Sequence, residues 1–442
     1  MRTMYSLNRI GSFLLILALA APSPLCADPL PRTNDPTESA SATLARNIAA
    51  LKQEQQALLQ RQTLELSRSY FSAAPQVKTP IGAVLGTGSL TWLSGQKKSS
   101  STGIRPVAGR QGLLVSYSVP VGDPMSFLRW RSWTYDDAMG AMALLLQGRT
   151  QDARTVLSAL QGLMKSDGSL GFSYQVDSTY ADNRVRTGTV AWVGYAMAFY
   201  ERVTGDKRFE SSAVAIAKKL KGLQVSSGSL RGGPDVNWAS TEHNLDAWNF
   251  FDLLCRVTGK AEYRATADQI KNSLLTNHWT GGTSGHFQQG IGDPAAALDA
   301  NALGALFLNA IGRADLAASA MNYIEATFAN SKTISGSTKT VTGYSPDASR
   351  KTVWVEGTLT VARAYQLLGN TAKVNSILQS VGTIQDVWTA QGRWKGALPY
   401  AVGRYVNPDG DTFTEFEAVP STSWFLLAQS VQNGDSRFLD RG

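Results

Sequence analysis

The sequence predicts an all-α fold, an (α/α)6 barrel of six helical hairpins closed into a ring, and three observations carry the prediction. Glycine recurs at 148, 205, 259, 312 and 369, so successive copies lie 57, 54, 53 and 57 residues apart, the period of one supersecondary unit. Each of these glycines ends one helical stretch and a second follows at once, as in DAWNFFDLLCRVT before Gly259 and KAEYRATADQI after it. That is the place of a left-handed residue closing the first helix of a hairpin. Within each pair the first stretch is almost wholly apolar or aromatic, while the second carries charge on one face, which separates inner from outer helices.

Taken in chain order, the first 27 residues carry Arg2 and Arg9, an apolar run from Phe13, then small residues and Pro. They read as a secretory signal peptide rather than a membrane span. Cleavage after Ala27 removes Cys26 and two arginines, lowering the formal net charge from +8 to +6. It leaves Cys255 in an apolar inner helix, where a buried inert thiol is expected. The expected location is therefore periplasmic or secreted.

Residues 28–75 divide into a flexible Pro, Asp, Ser and Thr rich segment and a long helix from about Ala40 to Tyr70. That helix is expected to be the sixth outer helix, or else an arm for docking or dimerisation. The catalytic barrel is assigned to 76–442. Its beginning, 76–132, mixes glycine with β-branched and aromatic residues and predicts short strands or extended segments over one mouth. The sixth inner helix is expected at Ser421-Thr-Ser-Trp-Phe-Leu-Leu-Ala-Gln-Ser430.

A second repeat follows the outer helices: Ser166-Asp-Gly-Ser-Leu170, Ser226-Ser-Gly-Ser-Leu230, Thr283-Ser-Gly-His-Phe287 and Ile334-Ser-Gly-Ser-Thr338. The segments from these turns to the next inner helix are long, aromatic and polar. Hairpin turns at the other end are short, so a site is expected at the elaborated mouth.

Counting back 13 residues from each repeat glycine gives Tyr135, Trp192, Asp246, Asp299 and Glu356. Acids at the mouth of an apolar ring point to chemistry, although each also fits a helix-start position. Glu242, one turn before Asp246, lies with His243 and Asn244 after Trp238, a mixture suited to a polyhydroxylated ring. Ser240 or Thr241 would cap that helix. Asp136 and Asp137 follow Trp133, and Thr134 with Asp137 fits a capping box, leaving Asp136 the freer carboxylate. Glu356, beside Trp354 and Gly357, is placed for a raised pKa and a general acid's role.

The candidate catalytic residues are therefore Glu242 and Glu356 first, then Asp136 and Asp137. Candidate substrate-binding residues are Trp133, Tyr135, Arg186, Trp192, Trp238, His243, Asp246, Asp299, Trp354 and Trp424, with Trp133, Trp238, Trp354 and Trp424 as stacking platforms. The three histidines, His243, His278 and His286, form no pair at helical spacing, so neither metal nor cofactor is expected. The positive charge is scattered, and nucleic acid is not an expected partner.

The hairpin repeat and the segments Thr134-Tyr-Asp-Asp-Ala138, Ser240-Thr-Glu-His-Asn-Leu-Asp246, Trp354-Val-Glu-Gly-Thr358 and Pro420-Ser-Thr-Ser-Trp424 resemble the six-hairpin glycosidase superfamily over roughly residues 125–434. The resemblance implies an (α/α)6 barrel that hydrolyses a bacterial polysaccharide or oligosaccharide in its cleft, with a carboxylate pair as acid and base. It also admits lysis or epimerisation. Epimerases of this class use two histidines, whereas this chain offers His243 alone on an inner helix. The other readings are a non-catalytic glycan-binding or scaffold protein of an exopolysaccharide system, and a polysaccharide lyase built on Tyr180, Arg184 and Arg186.

Overall fold

In the computed structural model, which describes residues 81–97, 105–393 and 396–439, the helices form six antiparallel pairs. They are α1 (Ile81–Gly95), α2 (Thr134–Leu146), α3 (Thr150–Leu163), α4 (Thr187–Thr204), α5 (Glu210–Lys221), α6 (Thr241–Thr258), α7 (Ala261–Ser273), α8 (Leu298–Ala310), α9 (Ala314–Phe328), α10 (Val355–Leu367), α11 (Thr371–Ala390) and α12 (Val419–Gln432). Helices α2, α4, α6, α8, α10 and α12 touch in that order, and α12 returns to α2 to close an inner ring. Outside them pack α3, α5, α7, α9, α11 and α1.

Burial follows the sequence asymmetry. Helix α4 is buried continuously from Thr187 to Glu201, whereas α5 buries a stripe of Ser212, Ala213, Ile216, Ala217 and Leu220 at helical spacing. An all-round apolar helix must lie inside, and a striped one can face water. The five repeat glycines have φ between +70° and +78°. At Gly259 the backbone N–H donates to Cys255 O at 2.8 Å, closing α6 before the chain reverses. Cys255 is fully buried, as expected. It carries no free thiol, which corrects the expectation of an inert one.

Of the second-repeat turns, Gly168, Gly228 and Gly336 are left-handed, with φ of +85°, +90° and +73°. The third differs: Gly281 and Gly282 take that conformation and Gly285 is extended. Short antiparallel strands decorate this mouth. Arg131–Trp133, Ser173–Gln175 and Ala181–Asp182 form one sheet. Val353–Trp354 pairs with Ala401–Val402, and Tyr405–Val406 with Thr412–Phe413.

One element departs from the sequence reading. Residues 81–95, expected to be extended, are helix α1, and α1 is the outer partner of α12. The Ala40–Tyr70 stretch expected in that place lies outside the described residues. Gly82, Gly86 and Gly88 weaken the local helical signal, but burial of Trp92 and Leu93 overrides it. Gly88 also allows the close approach of left-handed Gly396, where Ser89 Oγ donates to Gly396 O at 2.6 Å.

Candidate active site

All six inner helices start at the decorated mouth, so their first turns define levels around the axis. The second residue of each helix gives the upper ring: Tyr135, Gly188, Glu242, Asp299, Glu356 and Pro420. The sixth residue lies one turn deeper and includes Trp192, Asp246 and Trp424. Helices α4 and α6 have 18 residues, whereas α2, α8 and α10 have 13. Counting from the closing glycines therefore aligned Trp192 and Asp246 one turn too deep. Glu242 is the residue level with Tyr135, Asp299 and Glu356.

Except in α4, where it is Val190, the fourth residue of each inner helix straps the preceding segment to the ring. Asn244 accepts from Leu230 N and donates to Leu230 O, and Asn301 does the same to Phe287. Thr358 accepts from Tyr344 N and Thr422 from Leu398 N. Asp137 holds this position in α2. Its Oδ1 accepts from Leu114 N and its Oδ2 from Ser132 Oγ, each at 2.7 Å. Thr134 donates to Gly171 O instead of capping α2, and Asp137 is a strap rather than part of a capping box. Ser240 does cap α6, accepting from His243 N.

Glu356 sits at the head of a hydrogen-bond relay. Trp424 Nε1 donates to Tyr135 Oη at 3.0 Å, and Tyr135 Oη donates to Glu356 Oε1 at 2.5 Å. Burial pushes the Glu356 carboxyl up to about 8, opposed by the Tyr135 bond and reinforced by the charges of Asp136 and Asp299. Beneath the relay Phe438 is fully buried. Its ring lies 5.3 Å from Trp424 and 6.5 Å from Trp192, and Arg363 Nη2 holds its carbonyl at 2.7 Å.

On α6 and α8, Glu242, Asp246 and Asp299 act on one another. Burial raises Glu242 well above the usual range, with Asp299, Asp246 and Glu356 adding to it. Asp246 is raised in the same way, opposed by the Trp192 indole. Asp299 is raised less, to about 6, because the Ala300 N–H donates to its Oδ1 at 2.7 Å. Asp136 is pushed by burial up to about 8, and its Oδ2 has no hydrogen-bond partner among the described residues. His243, lowered to about 4 by burial and by Arg186, keeps Nδ1 unpartnered there too. Gly188 makes room for this group, since a Cβ on it would lie 2.5 Å from His243 Cδ2 and 2.7 Å from Asp246 Oδ2.

A cavity of about 590 Å³ is lined by Trp238, Gln289, Gly292, Asp293, Asp409 and Asp411. Trp238 is 37% exposed and presents a ring to it. Trp133 and Trp354 are half-buried, edge-on to Tyr117 and Tyr400. Trp424 is 1% exposed and Trp192 3%, so neither offers a face for stacking; they support Tyr135 and Asp246 from below. Arg186 pairs with Asp235 and Arg184 with Asp182, and Tyr180 covers Arg131.

The sequence reading missed Asp409 and Asp411, which lie on the tight Asn407–Asp411 turn and whose charges reach Asp299. It also missed Tyr117 and Tyr400, whose hydroxyls feel Asp136 and Glu356. The Asn-Pro-Asp-Gly-Asp string marks a turn, but nothing local marks one that folds over a cleft.

A closed ring of six helical hairpins with buried acids at one mouth is an (α/α)6 barrel. A glycosidase solved with glucose superposes with a TM-score of 0.57 at 13% identity, over 79% of this chain and 96% of that one. A family 76 glycoside hydrolase (mannosidase) from Bacteroides thetaiotaomicron gives 0.54 at 10%, over 79% and 96%. A D-mannose isomerase gives 0.54 at 9%, over 81% and 99%. No family model matches the sequence, and no curated protein does. The likeness is one of fold.

Proposed function

We propose that the protein is an exported glycoside hydrolase acting on a bacterial polysaccharide or oligosaccharide in the barrel mouth. The observation that carries the reading is the contrast between two carboxyl environments on one ring. Glu356 is held protonated at neutral pH by burial, while Asp299, on the neighbouring helix α8, is the most acidic of the coupled set. Two carboxyls with separated pKa values are what an acid and a base require.

Glu356 is the general acid. Tyr135 donates to Oε1, so the acid proton rests on Oε2, the oxygen free to protonate the departing glycosidic oxygen. Glu242 and Asp299 form the base unit, with the negative charge resting on Asp299 and moving between them as a water or the sugar ring enters. The unpartnered Asp136 Oδ2 and Asp246 Oδ1 supply acceptors for sugar hydroxyls, and Trp238 a face for a pyranose. Asp137 takes no part in this chemistry, because both its oxygens are engaged.

The test is hydrolysis of a glycan panel by the wild type and by Glu356→Gln, Glu242→Gln and Asp299→Asn. Each substitution is expected to lower turnover by at least about a hundredfold; near wild-type turnover in all three refutes the assignment. Export is tested by the mass of the secreted protein, whose N-terminus should be Asp28. An aldose–ketose isomerase is a second reading, favoured by the neutral His243 with its unpartnered Nδ1 in the cleft. It would interconvert free monosaccharides and leave the glycan panel intact.

A further inference from the structure

The mouth carries more carboxyl groups than a two-carboxylate reaction requires. Glu242, Asp299 and Glu356 on the ring are joined by Asp136 and Asp246, and the rim adds Asp293, Asp409 and Asp411. Among the described residues none of these eight forms an ion pair. Of the arginines of the same mouth, Arg184, Arg186 and Arg404 are matched to Asp182, Asp235 and Asp123, and Arg131 lies over the Trp133 and Tyr180 rings. The chain as a whole is basic, at +8, so the acidity belongs to this cleft.

Two further observations point to a ligand rather than to solvated acids. Asp136 Oδ2 and Asp246 Oδ1 have no partner among the described residues, although these side chains are only 4% and 3% exposed. They are acceptors withdrawn from water with nothing to accept from. The cavity of about 590 Å³ sets the exposed Trp238 on one wall with Asp293, Asp409 and Asp411.

We propose that the cleft takes a glycan carrying free amines, a de-N-acetylated hexosamine oligosaccharide, whose ammonium groups are met by Asp293, Asp409 and Asp411 at the rim and by Asp136 or Asp246 deeper in. The proposal rests on the glycosidase reading and specifies its substrate. An N-acetylated or plain hexose chain leaves the rim acids unanswered, and a uronic acid chain sets like charge against them.

The experiment is calorimetric binding of matched oligosaccharides that differ only at one ring substituent: glucosamine, N-acetylglucosamine, glucose and glucuronic acid oligomers of equal length, in β-1,4 and α-1,4 series. The protein is the wild type and an Asp409→Asn/Asp411→Asn double variant, which keeps the turn and its polarity. The free-amine oligomer is expected to bind at least about tenfold more tightly than its acetylated and hydroxyl counterparts at low salt. The advantage should shrink as salt is raised and should be largely lost in the double variant. Equal or tighter binding of a neutral or uronic acid oligomer overturns the proposal. So does an amine preference indifferent to both aspartates, or no binding in either series. Cleavage of a neutral glycan that depends on Glu356, with no amine advantage, refutes this inference and leaves the hydrolase reading standing. Aspartate-dependent amine binding without cleavage of any oligomer does the reverse.

Discussion

Replacing Glu356 by Gln keeps the shape of the side chain and the acceptor for the Tyr135 hydroxyl but removes the proton. In the wild type this carboxyl is moved from 4.5 to about 8, chiefly by burial. The folded state therefore holds a proton that the unfolded chain releases. The stability this gives is fully present below about pH 4.5 and is lost as the pH rises through about 8. Between pH 5 and pH 7 the loss from this one group comes to about 2–3 kcal/mol, from 1.36 kcal/mol per unit of pKa shift. The glutamine amide does not titrate, so the variant's stability relative to wild type should improve by about that amount across the interval, while turnover falls at least about a hundredfold. Urea unfolding of both proteins at pH 5 and pH 7, read with an activity assay, measures the two effects together. If the two stabilities move in parallel with pH, Glu356 is not held protonated and its role as the acid is lost.

Gly259→Val should destabilise by more than about 1 kcal/mol. A Cβ there meets nothing within 4 Å, so the cost is the left-handed backbone at φ +70°, and a neutral result in thermal unfolding removes that reading. Trp424→Phe keeps an aromatic ring but withdraws the indole N–H from Tyr135. Since that donor helps hold Glu356 down, the alkaline limb of the pH–rate profile should move to higher pH with about a tenfold loss of kcat; an unmoved limb breaks the relay argument. Phe438→Ala should cost about 3–5 kcal/mol, the range for a buried Phe, and urea unfolding that shows less than about 1 kcal/mol would mean the floor is not built on that ring.

The hairpin period was legible because its signal is local and chemical: a chain that must turn left-handed after a helix selects glycine, and all five repeat positions do so. The inner and outer assignment was legible for a similar reason, since burial all round leaves no place for charge. The level of each acid was not. Closing glycines mark where helices end, but the buried acids lie where they begin, and the extra turn in α4 and α6 separates the two counts. Helix α1 was hidden because three glycines weaken a helix that tertiary packing against α12 and Gly396 restores. Asp409 and Asp411 were hidden because a turn acid facing solvent and one facing a cleft have the same neighbours in sequence.

The same repeat logic separates Asp136 from Asp137, which adjoin in sequence. Asp137 occupies the position filled by Asn in α6 and α8 and by Thr in α10 and α12, and like them it grips the backbone of the preceding segment. Its work is to accept from Leu114 N, and an amide oxygen does that as well as a carboxylate. Ser132 Oγ, which now donates to Oδ2, can turn to accept from an Asn amide. Burial pushes the Asp137 carboxyl up to about 7, so its stabilising proton is lost as pH rises toward 7 and above, and a neutral amide escapes that loss. Asp137→Asn should therefore leave turnover within about threefold and be at least as stable as wild type at pH 8, whereas Asp137→Ala, which leaves Leu114 N unanswered, should cost about 1–3 kcal/mol. Asp136→Asn should weaken substrate binding, since its buried Oδ2 has no partner among the described residues. Urea unfolding and steady-state kinetics on the three variants decide the matter. If Asp137→Asn folds normally and has lost turnover, the strap is also a catalytic residue, and the division of labour between these neighbouring aspartates is wrong.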